Sequence, residues 1–247
     1  MTLEQIQAYS DPKKRMILAK QFVLASIHNL RLVIRYYHKQ KPRDVYELAL
    51  AAIHGNEAKI KLCMDYDKLL LLEAAVRKEY YDCFDFFVQS YELIFDKRTR
   101  RPPQSEINAM LSFGNTVLYN IFAFKINKSA LDIRIGYLHA TNSTRKESLN
   151  LDMAEIFKPL IVDRVIFSLC NLGSIQPRHF IREENNAVYL SEEGKKVFLK
   201  AFYSKLDEGV TIQNRFFTYN MLMDEEVRKL VRYFKKGEGY KAYRQVR

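Results

Sequence analysis

A chain of 247 residues with 48% hydrophobic side chains is long enough to bury a sizeable core and too apolar to be a disordered segment. Only 8 glycines and 6 prolines punctuate it, which argues against a many-turned β fold and for long helices. The 40 basic and 29 acidic side chains leave a net charge of +11, an electrostatic case for a polyanionic partner, with nucleic acid ahead of an anionic membrane.

Residues 1–10 are polar with no apolar leader region, and no apolar run is expected to span a bilayer; a cytoplasmic protein that does not engage a membrane is the expectation. Residues 11–39 then place Leu18, Phe22, Ala25, Leu30, Val33, Ile34 and Tyr37 at helical spacing, opened by Asp11-Pro12 as cap and first turn. Lys13, Lys14, Arg15, Lys20, Arg31, Arg35 and Lys39 share this segment as a solvated face or, less simply, a phosphate-facing one. A short helix over 45–53 is expected to close at Gly55-Asn56, followed by a long helical stretch over 57–95 and a basic loop over 97–103. Ser105 opens a helix reaching about Asn127, with Ile107, Leu111, Leu118, Ile121 and Phe122 as its apolar stripe. After an irregular stretch and a polar loop over 140–147, residues 149–171 form a strongly apolar helix. Phe180-Ile181 and Val188-Tyr189-Leu190 flank a polar turn and predict a small hairpin. A helix opens at Ser191, another covers 222–234, and 235–247 form a basic tail rich in tyrosine. The fold class is therefore all-α, a single helical domain over 1–247 with at most one small β-hairpin. Cys63, Cys83 and Cys170 are too scattered for a zinc site or disulfide framework and are expected as buried free thiols.

There is no glycine-rich phosphate loop, zinc-protease motif or nucleophile elbow. What remains is one histidine with several carboxylates. Asp152 and Glu155, three apart, share one face of an otherwise apolar helix, so each needs a cation nearby, either a divalent ion or a base such as Lys158 or Arg164. Glu73 poses the same problem after four consecutive leucines, and His139 ends a short apolar segment. One imidazole with carboxylates suits magnesium or manganese better than structural zinc. Each of these residues taken singly is also compatible with a salt-bridged or surface role, and spacing alone does not bring Glu73 to His139. His28, His38, His54 and His179 are expected at the surface or its boundary, His28 alternatively as a satisfied core histidine.

Four blocks in order resemble the universal CRISPR-associated integrase, the first of the numbered Cas proteins. They are Leu72-Glu73-Ala74-Ala75-Val76-Arg77, Arg101-Pro102-Pro103 through Gly114, Ile135-Gly136-Tyr137-Leu138-His139, and Ser148 through Glu155 with Lys158-Pro159-Leu160 and Asp163-Arg164. The resemblance implies a metal-dependent DNA endonuclease and integrase that inserts spacer DNA into a CRISPR array. It implies Glu73, His139 and Glu155 as ligands of Mg2+ or Mn2+, with Asp152 a further acidic position beside them. Which of Asp152 and Glu155 binds the ion directly is left open. Arg77, Arg100, Arg101, Arg145, Lys146 and Lys158 are the expected phosphate contacts. The implied partners are DNA, a small ferredoxin-like CRISPR-associated protein and a second copy in a homodimer. Family members usually begin with a small β-rich domain, whereas this sequence opens directly in the helical one. Two rivals stand beside this: a metal-dependent nuclease on branched repair intermediates, and a catalytically silent helical DNA-binding module.

Overall fold

A computed structural model describes residues 1–88, 90, 93–139 and 146–246. Its organising element is α2 (Pro12–Gln40), which follows α1 (Thr2–Ser10). Asp11 caps α2 by accepting from the Lys13 and Lys14 amides, with Pro12 in the first turn, as the sequence predicts. Leu18, Phe22, Ala25, Leu30 and Ile34 are all but inaccessible, and α3 (Asp44–Leu62), α4 (Tyr66–Tyr81) and α7 (Leu149–Phe157) pack around them. By length and composition α2 is apolar enough to cross a bilayer, contrary to the expectation that no run is. What its apolar residues meet, however, is the rest of this core.

Three boundaries differ from expectation for identifiable reasons. Helix α3 runs straight through Gly55-Asn56, because a mid-helix glycine costs only about 1 kcal/mol and Ile53 and Ile60 on either side are both fully buried. The break falls later, at Cys63–Asp65, where Asp65 accepts from the Lys68 amide at 2.7 Å and starts α4. After α4 comes a single turn, α5 (Phe84–Phe87). Ser105 caps α6 (Glu106–Asn127). The apolar helix expected over 149–171 is interrupted by a π-helical turn, Pro159–Asp163, between α7 and α8 (Arg164–Asn171). Pro159 has no amide to donate to the preceding turn, and the Asp163 amide reaches five residues back to the Lys158 carbonyl at 3.1 Å.

The expected hairpin is present, with β1 (Phe180–Arg182) antiparallel to β2 (Val188–Leu190). A second one, β3 (Gly209–Ile212) with β4 (Arg215–Thr218), exceeds the single hairpin foreseen. Its two turn residues, Gln213 and Asn214, have φ of 49° and 61°, the left-handed pair that lets a two-residue turn match strand twist. Glutamine in the first position hides that signal. Helices α9 (Glu192–Asp207) and α10 (Tyr219–Lys236) complete an all-α fold with two minor hairpins.

The basic tail does not hang free. Tyr240, Ala242 and Tyr243 are buried, and the Tyr243 ring stacks on Phe157 of α7 with centroids 5.5 Å apart. Asn29 of α2 donates to the Ile156 carbonyl at 2.8 Å and accepts from the Gln245 amide at 3.0 Å, tying α2, α7 and the tail together. Cys63, Cys83 and Cys170 are buried free thiols.

Candidate active site

Glu73 on α4, Glu155 on α7 and His139 on the segment before α7 all line one cavity of about 970 Å³. The histidine is held by a clamp around the backbone of residues 137–139. Asp152, fully buried, accepts from the amides of Tyr137 (2.5 Å), Leu138 (3.0 Å) and His139 (2.8 Å) and from His139 Nδ1 (2.8 Å). From the other side Arg15 Nε donates to the Tyr137 carbonyl at 3.2 Å, and the Tyr66 hydroxyl donates to the Leu138 carbonyl. The Arg15 guanidinium is itself sandwiched between the rings of Tyr9 and Tyr66, at 4.4 and 4.1 Å from their centroids. Gly136 lets this segment approach α7, since a Cβ there would come within 2.7 Å of Ser148 Oγ. With Nδ1 donating to Asp152, Nε2 is the imidazole nitrogen that carries the lone pair. Asp152 is thus spent on presenting His139 and does not line the cavity, whereas Glu155 does.

The two glutamates are tied together by cations. Arg77, one turn beyond Glu73 on α4, donates from Nε to Glu73 Oε1 at 2.5 Å and pairs through its other arm with Glu155 Oε2. Lys158, one turn beyond Glu155, donates to Glu155 Oε1, and its ammonium lies 4.8 Å from the Tyr119 ring centroid. Burial pushes the Glu73 carboxyl up, but Arg77 chiefly, with Lys158 and His139, outweighs it and leaves Glu73 below the usual carboxylate range. Burial depresses the Lys158 ammonium, with Tyr119 opposing that and Arg77 adding to it. Asp163, at the end of the π turn, is raised by burial to about 7 although Arg77 and a hydrogen bond with Tyr80 pull it down. Among the described residues no three imidazole, thiol or carboxylate groups are gathered as a ready-made metal cluster. Arg77 stands between the two glutamates instead.

Of the expected phosphate contacts, Arg77 and Lys158 line the cavity with their charges engaged by carboxylates, while Arg100, Arg101 and Lys146 line it exposed. Arg145 lies outside the described residues. The basic loop is anchored by Asn108 of α6, whose side chain accepts from the Thr99 amide (3.0 Å) and Arg98 (2.9 Å) and donates to the Lys97 carbonyl (2.8 Å). Sequence reasoning missed Arg98, Tyr81 and Tyr119 at the cavity, and Arg15 and Tyr66 behind it. One signal was available: Ser112, Asn115, Thr116 and Tyr119 make a polar stripe at helical spacing on the otherwise apolar α6, and all four line the cavity. His179, expected near the surface, is buried, its Nδ1 accepting from the Gln176 amide at 2.9 Å.

The sequence family described as CRISPR associated protein Cas1 matches residues 1–204. A CRISPR-associated endonuclease Cas1 from Thermodesulfovibrio yellowstonii is 37% identical over 247 residues, covering 98% of this chain and 73% of that protein. A second, from Clostridium perfringens, is 35% identical over 245 residues, covering 98% and 72%. The structure of a Cas1 protein from Thermotoga maritima superposes with a TM-score of 0.83 at 33% identity, over 98% of this chain and 73% of that one. A casposase bound to integration product gives a TM-score of 0.87 at 26% identity, over 97% and 66%. This chain belongs to the Cas1 family.

Proposed function

We propose that this chain is the catalytic domain of a CRISPR integrase and nuclease, joining the 3′-hydroxyl of a captured DNA fragment to a repeat phosphodiester and cleaving DNA at the same site. One observation carries the reading: Glu73, His139 and Glu155, from three separated segments, face a single cavity rimmed by Arg100, Arg101 and Lys146. Relatives named endonucleases and a structural neighbour named for its integration product support it.

One imidazole nitrogen and two carboxylates make a donor set fit for Mg2+ or Mn2+. Glu73, His139 and Glu155 would hold such an ion, and when bound it would supply Lewis acidity toward the phosphodiester and the attacking hydroxyl or water. The chain's own residues do the rest. Asp152 fixes the imidazole tautomer and angle through four hydrogen bonds. Arg77 and Lys158 pair with the two oxygens of Glu155 and hold its carboxylate in place. Arg100, Arg101 and Lys146 receive the phosphates on either side of the reacting one. The partners under this reading are DNA, a second copy of the enzyme, and the small ferredoxin-like protein that bridges two dimers.

The test is strand transfer into a supercoiled plasmid carrying a repeat, assayed with the bridging protein present. Glu73→Ala, His139→Ala and Glu155→Ala should each abolish metal-dependent joining and cleavage while circular dichroism shows the fold retained. Wild-type rates in any one of them remove that residue from the site. Cleavage of branched DNA without joining would favour the repair-nuclease reading instead.

A further inference from the structure

The carboxylates that the proposed ion needs are already taken. Both oxygens of Glu155 are paired, one with Arg77 and one with Lys158, and Glu73 Oε1 accepts from Arg77 at 2.5 Å. Arg77, Lys158 and Glu155 are each less than a tenth exposed, so a charge that loses its partner here is only poorly solvated. Two carboxylates facing one guanidinium and one ammonium make this inner cluster electrically neutral. Around it Arg98, Arg100, Arg101 and Lys146 add positive charge to the cavity lining, against a single further carboxylate among the described residues, Glu147.

A divalent cation entering alone therefore meets two costs. It must draw Arg77 off both glutamates, and it leaves a buried excess of positive charge inside a basic rim. A phosphodiester entering with it removes both costs, because its oxygens offer Arg77 and Lys158 new anionic partners and offset the charge of the ion.

We infer that this site takes up a divalent cation and a DNA phosphate as a coupled pair, with Arg77 as the exchange group that is counter-ion to Glu73 and Glu155 without DNA and partner to the phosphate with it. The inference rests on the proposed metal site and adds the regulation of that site: without DNA, the metal is held weakly. By linkage the coupling is reciprocal, so the metal strengthens DNA binding by the same factor.

The measurement is Mn2+ binding to the full chain, read from the electron paramagnetic resonance signal of the free ion. It is made without DNA and with a duplex whose 3′ ends are dideoxy, so that nothing turns over. Mn2+ held by the duplex alone, and by the Glu73→Ala Glu155→Ala protein with duplex, is subtracted. The expected result is a site affinity raised about tenfold or more by DNA, within the usual span of allosteric coupling. Arg77→Met should bind Mn2+ more tightly than the wild type when DNA is absent, and its DNA-linked gain should fall below about threefold. Equal wild-type affinity with and without DNA overturns the coupling and leaves the metal site standing. Protein-dependent Mn2+ binding in neither condition overturns the metal site as well. Full coupling retained in Arg77→Met overturns the role given to Arg77. If Arg77→Met does not fold, the wild-type pair of titrations still decides the coupling.

Discussion

Glu155 on α7 and Glu226 on α10 are the same local device in two places: a buried glutamate with a lysine three residues on, ion-paired to it. Their surroundings differ in kind. Glu226 accepts from the Tyr240 hydroxyl at 2.6 Å, the Tyr243 amide at 3.0 Å and Lys229 at 2.7 Å, two of these being neutral donors fixed by the tail. Among the described residues Glu155 is paired with two cationic side chains, Arg77 and Lys158, and all three line an open cavity. A carboxylate closed off by hydroxyl and backbone donors has no reason to let go of them. One held by long charged side chains beside a solvent-reachable space can change partners. The rear cluster is mortar; the front cluster is the proposed site.

The sharpest way to break that comparison is to truncate both residues. Glu155→Ala should reduce strand transfer at least a hundredfold with a smaller loss of melting temperature than Glu226→Ala gives. Glu226→Ala leaves the Tyr240 hydroxyl and Lys229 without their buried acceptor, a loss of about 3 kcal/mol, or roughly 6–12 °C for a chain of this size. Thermal melts and plasmid joining on both variants check this, and a Glu226 variant that loses activity without losing stability would erase the distinction.

Asp152→Asn tests whether the clamp is part of the front cluster. An amide nitrogen facing the amides of residues 137–139 repels at least one of them, so His139 should be presented loosely. A roughly tenfold to hundredfold loss in rate is expected for a ligand-supporting residue, visible as a lower kcat at unchanged KM for DNA.

Asp163 sharpens the comparison through pH. Its carboxyl titrates near 7 in the folded chain against an ordinary 3.8, so between those values the folded state holds the proton that the unfolded state has released. Stability then falls as pH rises from about 4 to about 7 and levels off above. Asp163→Asn, which cannot ionise, should melt at or above the wild-type temperature at pH 8, with that relative gain shrinking as the pH is lowered toward 4. Parallel melting curves for the two proteins across this range would remove the buried charge from the account.

The smallest effect belongs to the rim. Arg100→Ala with Arg101→Ala should weaken DNA binding uniformly and flatten its salt dependence by close to 2 in log–log slope, about 0.9 for each phosphate no longer neutralised. Binding measured from 50 to 200 mM salt checks it.

How much of this was legible beforehand follows from where each signal resides. Helix α2 was readable because its cap and apolar period are both local. The route of α3 through Gly55 was not, since tertiary burial of Ile53 and Ile60 decided it. The tyrosine-rich tail gave no period at all, and its burial depends on Asn29 and Glu226, far away in the chain. At the candidate site, Glu73, His139 and Glu155 were singled out through their blocks and the fold brings all three to one cavity, but spacing left Asp152 and Glu155 as equals. Only the fold separates them, by spending Asp152 on three amides and an imidazole. Arg15 shows the converse. On the sequence it belonged to a solvated or phosphate-facing stripe, yet it is a backbone clamp between two tyrosine rings.

The π turn at Pro159–Asp163 carries a consequence for how the chain tolerates changes of length. An α-helix advances about 100° per residue. Removing one residue from the wide turn closes it to ordinary winding and leaves α8 facing nearly as it does now, whereas removing one from α7 itself swings α8 by that angle and takes Val165, Ile166, Phe167 and Leu169 out of register with the core they now fill. Adding a residue to the exposed turn over 183–186 shifts nothing of comparable weight. Changes of length should therefore be absorbed by the hairpin turn and, as a single deletion, by the π turn, and refused within α7, so that the spacing from Asp152 to Glu155 is as constrained as the identity of either residue.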